Sequence, residues 1–146
     1  MANECKYAYA SQVTLEANGA STAAAAFVEA NDAALSSANH YDYPLGDLVL
    51  ACAFGAAVGS NKVVNLYRRD LNIDGTNDAP VPSASYESLY VGSFVIPNGA
   101  SATDYYPCPC VPLSKECSFY LKNGTDQTMS TGWTLKVTPK TYVPGA

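Results

Sequence analysis

The sequence predicts one all-β domain spanning residues 1–146, a β-sandwich of jelly-roll character. Three observations carry that prediction. Apolar and polar residues alternate with a period of two in several short segments. Clusters of Gly, Pro, Asn and Ser separate those segments at short intervals. The alanine-rich stretch 21–38, the candidate helix, holds no convincing 3.6-residue apolar stripe. A chain of 146 residues favours one domain and buries roughly 70% of its unfolded surface, enough for a core without staples. Neither an internal repeat nor a break in composition marks a second domain.

Taken in order, residues 1–44 are the least regular. "SQVTLEA" sets Val13 and Leu15 against Thr14 and Glu16. "STAAAAFVEANDAALSSA" has the alanine content of a helix and a Ser or Thr able to cap one. Its large apolar residues, Phe27, Val28 and Leu35, make no helical stripe, and Asn31, Asp32, Ser36 and Ser37 interrupt it. It reads as two short strands around a turn, with a helix as the alternative. "GDLVLACAF" places Leu48, Leu50, Cys52 and Phe54 on one face and Val49, Ala51 and Ala53 on the other. Two apolar faces predict a central strand. "GAAVGS" is a link suited to a hairpin, leading into the strand "NKVVNLYRRD".

A long polar loop to Ser88 follows. "LYVGSFVIP" is the next strand, with Gly92 marking a bulge or a close approach. "YYPCPCVPL" predicts an edge strand or extended connection, because Pro107, Pro109 and Pro112 cannot donate to a ladder. In "ECSFYLKN", Cys117, Phe119 and Leu121 face one way and Ser118, Tyr120 and Lys122 the other. "GWTLKVTPK" repeats the pattern, with Trp133, Leu135 and Val137 inward. The intervening "NGTDQTMSTG" is turn chemistry throughout, so these two strands are expected to be neighbours in a hairpin or Greek-key pair.

Charged residues are only 14% of the chain, against ~25% in an average domain. The formal charge is −5, and Arg68-Arg69 is the sole basic pair among eight Lys and Arg. Nucleic-acid binding needs a basic stripe, so that class is excluded. "LVLACAFGAAV", residues 48–58, falls far short of the ~20 apolar residues of a membrane span. "MANECKYAYA" has no apolar core behind a basic start, so no secretory signal is read and folding in a cytosol is expected.

The five cysteines are Cys5, Cys52, Cys108, Cys110 and Cys117. An odd number without a signal argues against a secreted disulfide framework. "PCPC" is not the usual zinc hook, and His40 is the one histidine available to complete a site. Cys52 and Cys117 are expected as small core residues. Pairing of Cys117 with Cys108 or Cys110 in an oxidising medium stays open.

No catalytic, cofactor-binding or metal residue is assigned. Any His-based constellation would have to use His40, no serine sits in a G-x-S-x-G elbow, and no Gly-rich loop precedes a helix. The carboxylates Asp74 and Asp78 carry no weight as a pair without a separation in space. "RRDLNIDGTNDAP" resembles the front half of a calcium loop, with Asp70, Asn72 and Asp74 at positions one, three and five and Gly75 at six. Its twelfth residue is Val81 rather than a bidentate glutamate, its eighth is Asn77, and no helices flank it. The expected structure of 70–78 is therefore a loop whose Asx side chains fold back on their own backbone, with calcium binding as the competing reading.

The stretch "VVNLYRRDLNIDGTNDAPVPSASYESLYVGSFVI", together with "FYLKNGTDQTMSTGWTLKVTPKTY", resembles small virion proteins of tailed bacteriophages and prophages. The shared pattern is a strand ending in "LYRRDLN…DGTND.P.P", a second in "YVGSF", and a closing "GW.LKV.P..Y". The likeness covers residues 45–143, while "PCPCVPLSKEC" departs from the pattern. It implies a β-sandwich that decorates or cements a capsid, or a related tail component, assembled in the bacterial host cytoplasm. Implied partners are the major capsid protein and further copies of the chain, a trimer matching the three-fold positions of an icosahedral shell. No catalytic residue is implied. Tyrosines suit such contacts because they give large amphipathic area at low entropic cost. The pairs Tyr41 and Tyr43, Tyr86 and Tyr90, and Tyr105 and Tyr106 are expected in loops. The rival reading is a carbohydrate-binding module on a tail fibre, weakened by the inward placement of Trp133.

Overall fold

A computed structural model describes residues 6–36 and 43–143. The strands are β1 Lys6–Tyr9, β2 Val13–Gly19, β3 Phe27–Leu35, β4 Leu45–Cys52, β5 Lys62–Asp70, β6 Tyr90–Ile96, β7 Asp104–Pro112, β8 Cys117–Asn123 and β9 Trp133–Val143. Among the described residues there is no helix. One sheet runs β2-β9-β4-β7 and the other β3-β8-β5-β6, with every ladder antiparallel. β1 extends β2 along the far half of β9, pairing Lys6 with Val143 and Tyr9 with Lys140. This order, in which only β5 and β6 are joined within one sheet after β2, is that of a jelly roll, two Greek keys wrapped into a sandwich. The expected all-β sandwich is the observed one.

The core lies between the sheets. Leu48, Leu50, Trp133, Leu135 and Val137 from the first sheet meet Val64, Leu66, Phe94, Phe119 and Leu121 from the second. These are the inward positions that the alternation marks. Trp133 donates its indole N–H to the carbonyl of Ala20 at 2.8 Å. Its ring fills the space above Gly19, where an added Cβ would lie 1.9 Å from Cε2. Cys52 and Cys117 are buried in this core as expected, and Cys108 joins them.

Two expected pairings do not occur. "GAAVGS" is not a hairpin link, because β4 lies between β9 and β7 while β5 lies between β8 and β6. The link crosses between the sheets, with Val58 buried at 1% exposure and tied by Val58 N to Ala100 O and Gly99 N to Val58 O. Nor are β8 and β9 hydrogen-bonded neighbours; they lie in opposite sheets and contribute to one core from either side. Period-two alternation identifies the buried face of a strand but is blind to whether a second strand lies beside it or across from it.

The alanine-rich segment is neither a helix nor two strands around a turn. A tight turn at Ala23–Ala26 leads into the single strand β3, which bulges between Ala30 and Leu35 while β8 advances only from Phe119 to Cys117. The interrupting polar residues fasten this bulge to β2. Glu16 accepts from Asn31 N at 3.2 Å, and Asp32 accepts from Ala17 N at 2.6 Å. Gly92 serves both expected roles. The β5–β6 register shifts beside it, and a Cβ there would meet the Cys108 sulfur at 2.6 Å. β7 pairs only with β4 and is the expected proline-bearing edge.

Candidate functional site

Alternation along β1 and β9 projects Tyr7, Tyr9, Lys140 and Tyr142 from the outer face of the first sheet. Tyr7 and Tyr142 are cross-strand partners, with ring centroids 4.6 Å apart and hydroxyls 2.7 Å apart. Lys140 lies beneath them, only 4% exposed, its Nζ 4.6 Å from the centre of the Tyr7 ring. It makes an ion pair with Asp47 Oδ1 at 2.7 Å and donates to Cys110 Sγ at 3.0 Å. The Asp47 carboxylate also accepts from Cys110 N at 2.9 Å, holding Cys110 in the left-handed region at φ 57°. The hydrogen bond to Asp47, then that to Cys110, raises the Lys140 pKa, so the ammonium stays charged. The Tyr7 phenol is pushed up to about 12, first by its hydrogen bond with Tyr142. A neutralised ion pair therefore supports an exposed aromatic surface. Tyr9 and Tyr142 are each more than half exposed, at 55% and 53%. Rigid rings on paired strands are suited to contact with another protein.

The tyrosines singled out from the sequence are differently placed. Tyr41 lies outside the described residues. Tyr43 and Tyr86 are half-buried. Tyr90, Tyr105 and Tyr106 belong to strands rather than loops, and Tyr106 is a core residue. Tyr105 and Tyr90 are exposed, and Tyr90 meets Tyr67 edge-on at 6.0 Å. The cluster of Tyr7, Tyr9 and Tyr142 was the one missed. Its signal is the alternation of "KYAY" near one end and "TYV" near the other, brought together only by the register of β1 on β9.

The loop 70–80 folds back on itself as expected. Asp74 Oδ1 accepts from Thr76 N at 3.0 Å and Asn77 N at 2.8 Å, and Oδ2 accepts from Asn77 Nδ2 at 2.6 Å. Asp78 Oδ1 accepts from Asn72 N, while Asp70 holds Arg68 and Ser114. The Asn77 N–H, with its neighbours, keeps the Asp74 carboxyl well below the usual carboxylate range. Among the described residues no group of three or more His, Cys, Asp and Glu is arranged to hold a metal. His40 and Cys5 lie outside those residues. Cys52, Cys108, Cys110 and Cys117 are free thiols, and Cys110 alone of the four is exposed. Burial pushes the Cys52 thiol up to about 12 and raises Cys108 and Cys117 as well. Among the described residues no helix is long and apolar enough to cross a membrane.

Comparison with family models, with curated proteins and with solved structures gave no match.

Proposed function

We propose that this protein is a non-enzymatic structural component of a tailed-phage virion, decorating or cementing the capsid through contacts with the major capsid protein and with its own copies. The observation that carries the reading is the aromatic face of Tyr7, Tyr9 and Tyr142, held rigid over the Lys140–Asp47 ion pair. Support also comes from the jelly-roll strand order, a topology used in capsid shells as well as in lectins and cupins, and from the resemblance of residues 45–143 to small phage virion proteins. Cementing needs no single strong bond, since simultaneous contacts to several shell subunits multiply modest affinities. A closed symmetric oligomer, a trimer at three-fold positions, would reuse one patch on every subunit.

The test is reconstitution on particles assembled without the protein, followed by a particle reconstruction. Wild-type chain should bind in a copy number comparable to the shell subunits and raise the temperature at which particles burst. A Tyr7→Ala/Tyr142→Ala variant should keep its fold and lose at least tenfold in binding, as expected of an aromatic hot spot. Density in the tail alone or a few copies per particle would reject the capsid role, and undiminished binding by the variant would reject the aromatic face as its contact.

A further inference from the structure

The bulge in β3 opens a pocket of about 250 Å³ on the outer face of the second sheet. Arg69 and Ser118 are cross-strand partners on β5 and β8, so their side chains share that face. Glu29 and Asn31 of β3 form a second wall, with Ala33 and Leu71 as apolar lining. The pocket is held open by the hydrogen bonds that join the bulge to β2, from Asn31 N to Glu16 and from Ala17 N to Asp32.

One atom in this lining is out of balance. Ser118 is 5% exposed, and its Oγ is the one buried side-chain N or O among the described residues that finds no hydrogen-bond partner in the protein. Buried polar groups are almost always partnered, so an orphan hydroxyl at a pocket wall marks a place where something else supplies the bond. The charges beside it are already balanced. Arg69 donates from Nε to Ala79 O at 2.8 Å and faces Asp78 at 3.8 Å. Tyr120, the cross-strand partner of Glu29 and two residues along β8 from Ser118, stands between the two walls.

With one carboxylate and one guanidinium in its lining, the pocket favours neither anions nor cations. It asks for a neutral molecule whose groups both donate and accept, with C–H surface for Ala33 and Leu71. At about 30 Å³ per water the space equals roughly eight waters, below the ~300 Å³ at which pockets for drug-sized molecules begin. We propose that this pocket binds a small neutral polyol, a single hexose unit, with Ser118 Oγ, which the fold buries, turning about its Cα–Cβ bond to meet one of the ligand's hydroxyls. The inference stands apart from the capsid reading and survives or fails without it.

The experiment is an NMR titration of the full chain with D-glucose, D-galactose and D-mannose, read at the amides of Ala33, Leu71 and Ser118. At least one hexose should give saturable shifts there. The matching methyl hexoside should bind equally well if the natural source is the end of a glycan, and more weakly if it is free sugar. Ser118→Ala should weaken binding about fivefold, the worth of one net hydrogen bond, without lowering the melting temperature, since no internal partner is lost. Ala33→Leu should fill the pocket and abolish the shifts; if that variant does not fold, Ser118→Ala decides alone. The proposal is overturned if none of the three hexoses gives saturable shifts. Saturation by phosphate or glycine only overturns it too, as does a Ser118→Ala variant that melts lower with unchanged affinity.

Discussion

The loops 71–80 and 124–132 draw on one alphabet, "LNIDGTNDAP" and "GTDQTMSTG", and each carries a single large apolar side chain beyond its first residue. In the first loop that side chain, Ile73, is 64% exposed, and the polar groups satisfy one another through Asp74, Asn77 and Asp78. In the second, Met129 is fully buried and bridges Thr22 and Phe54. Asn123, at the mouth of that loop, is fully buried as well. Its Nδ2 donates to Thr22 O and Gln127 O, and its Oδ1 accepts from Thr125 N and Oγ1. The first loop projects beyond the end of β5, whereas the second carries the chain from one sheet to the other and closes that end of the sandwich. Turn chemistry sets the local path, and the crossing decides whether a loop becomes part of the core.

The sharpest way to break the comparison is to truncate the two apolar residues. Met129→Ala should cost about 2–5 kcal/mol, because the cavity it leaves is enclosed. Ile73→Ala should stay within about 0.5 kcal/mol of wild type, as surface changes do. Urea unfolding of both variants checks this, and equal losses would show that the loops are not distinct in kind. Next in size is Asn123→Ala. It strands the Thr125 N–H and takes one of two donors from each of the Thr22 and Gln127 carbonyls, which keep Met129 N and Thr125 Oγ1, and should cost about 1–3 kcal/mol. Asn123→Asp should fare no better, since a carboxylate cannot donate to either carbonyl.

A smaller effect concerns acid. Asp74 in the first loop and Asp126 in the second are both lowered in pKa, by the N–H groups of Asn77 and Gly59 respectively. A carboxyl depressed on folding contributes stability above its unfolded pKa and loses it as pH falls through the folded value. The gap in stability between wild type and Asp74→Asn should therefore be full at neutral pH and shrink only in strong acid. In an NMR carboxyl titration Asp74 should protonate after most other exposed carboxylates. A midpoint in the ordinary range would mean that the Asx hydrogen bonds do not persist in solution. The smallest expected effect is that of chelation. The carboxylates of Asp74 and Asp78 are engaged by groups of the loop and that of Asp70 by Arg68 and Ser114, so a chelator should leave the melting temperature unchanged. A large drop, reversed by calcium and absent in Asp70→Ala, would replace the self-closed loop with a metal site.

What the sequence determined by itself is local. Alternation marked Phe119, Leu121, Trp133, Leu135 and Val137 as core, and all are buried. The prolines marked β7 as an edge, and Gly92 marked a close approach. These are legible because a strand turns alternate side chains to opposite faces whatever it pairs with. Tertiary structure alone decided that β4 and β5, and β8 and β9, face each other across the core. Partner choice is settled by non-local hydrogen bonding and by how two apolar faces fit together. For the same reason the sites were illegible. Tyr7 meets Tyr142, and Arg69 stands beside Ser118, only through strand register. The Ser118 pocket exists because β3 bulges where β2 holds it, and neither residue spacing nor composition encodes that separation.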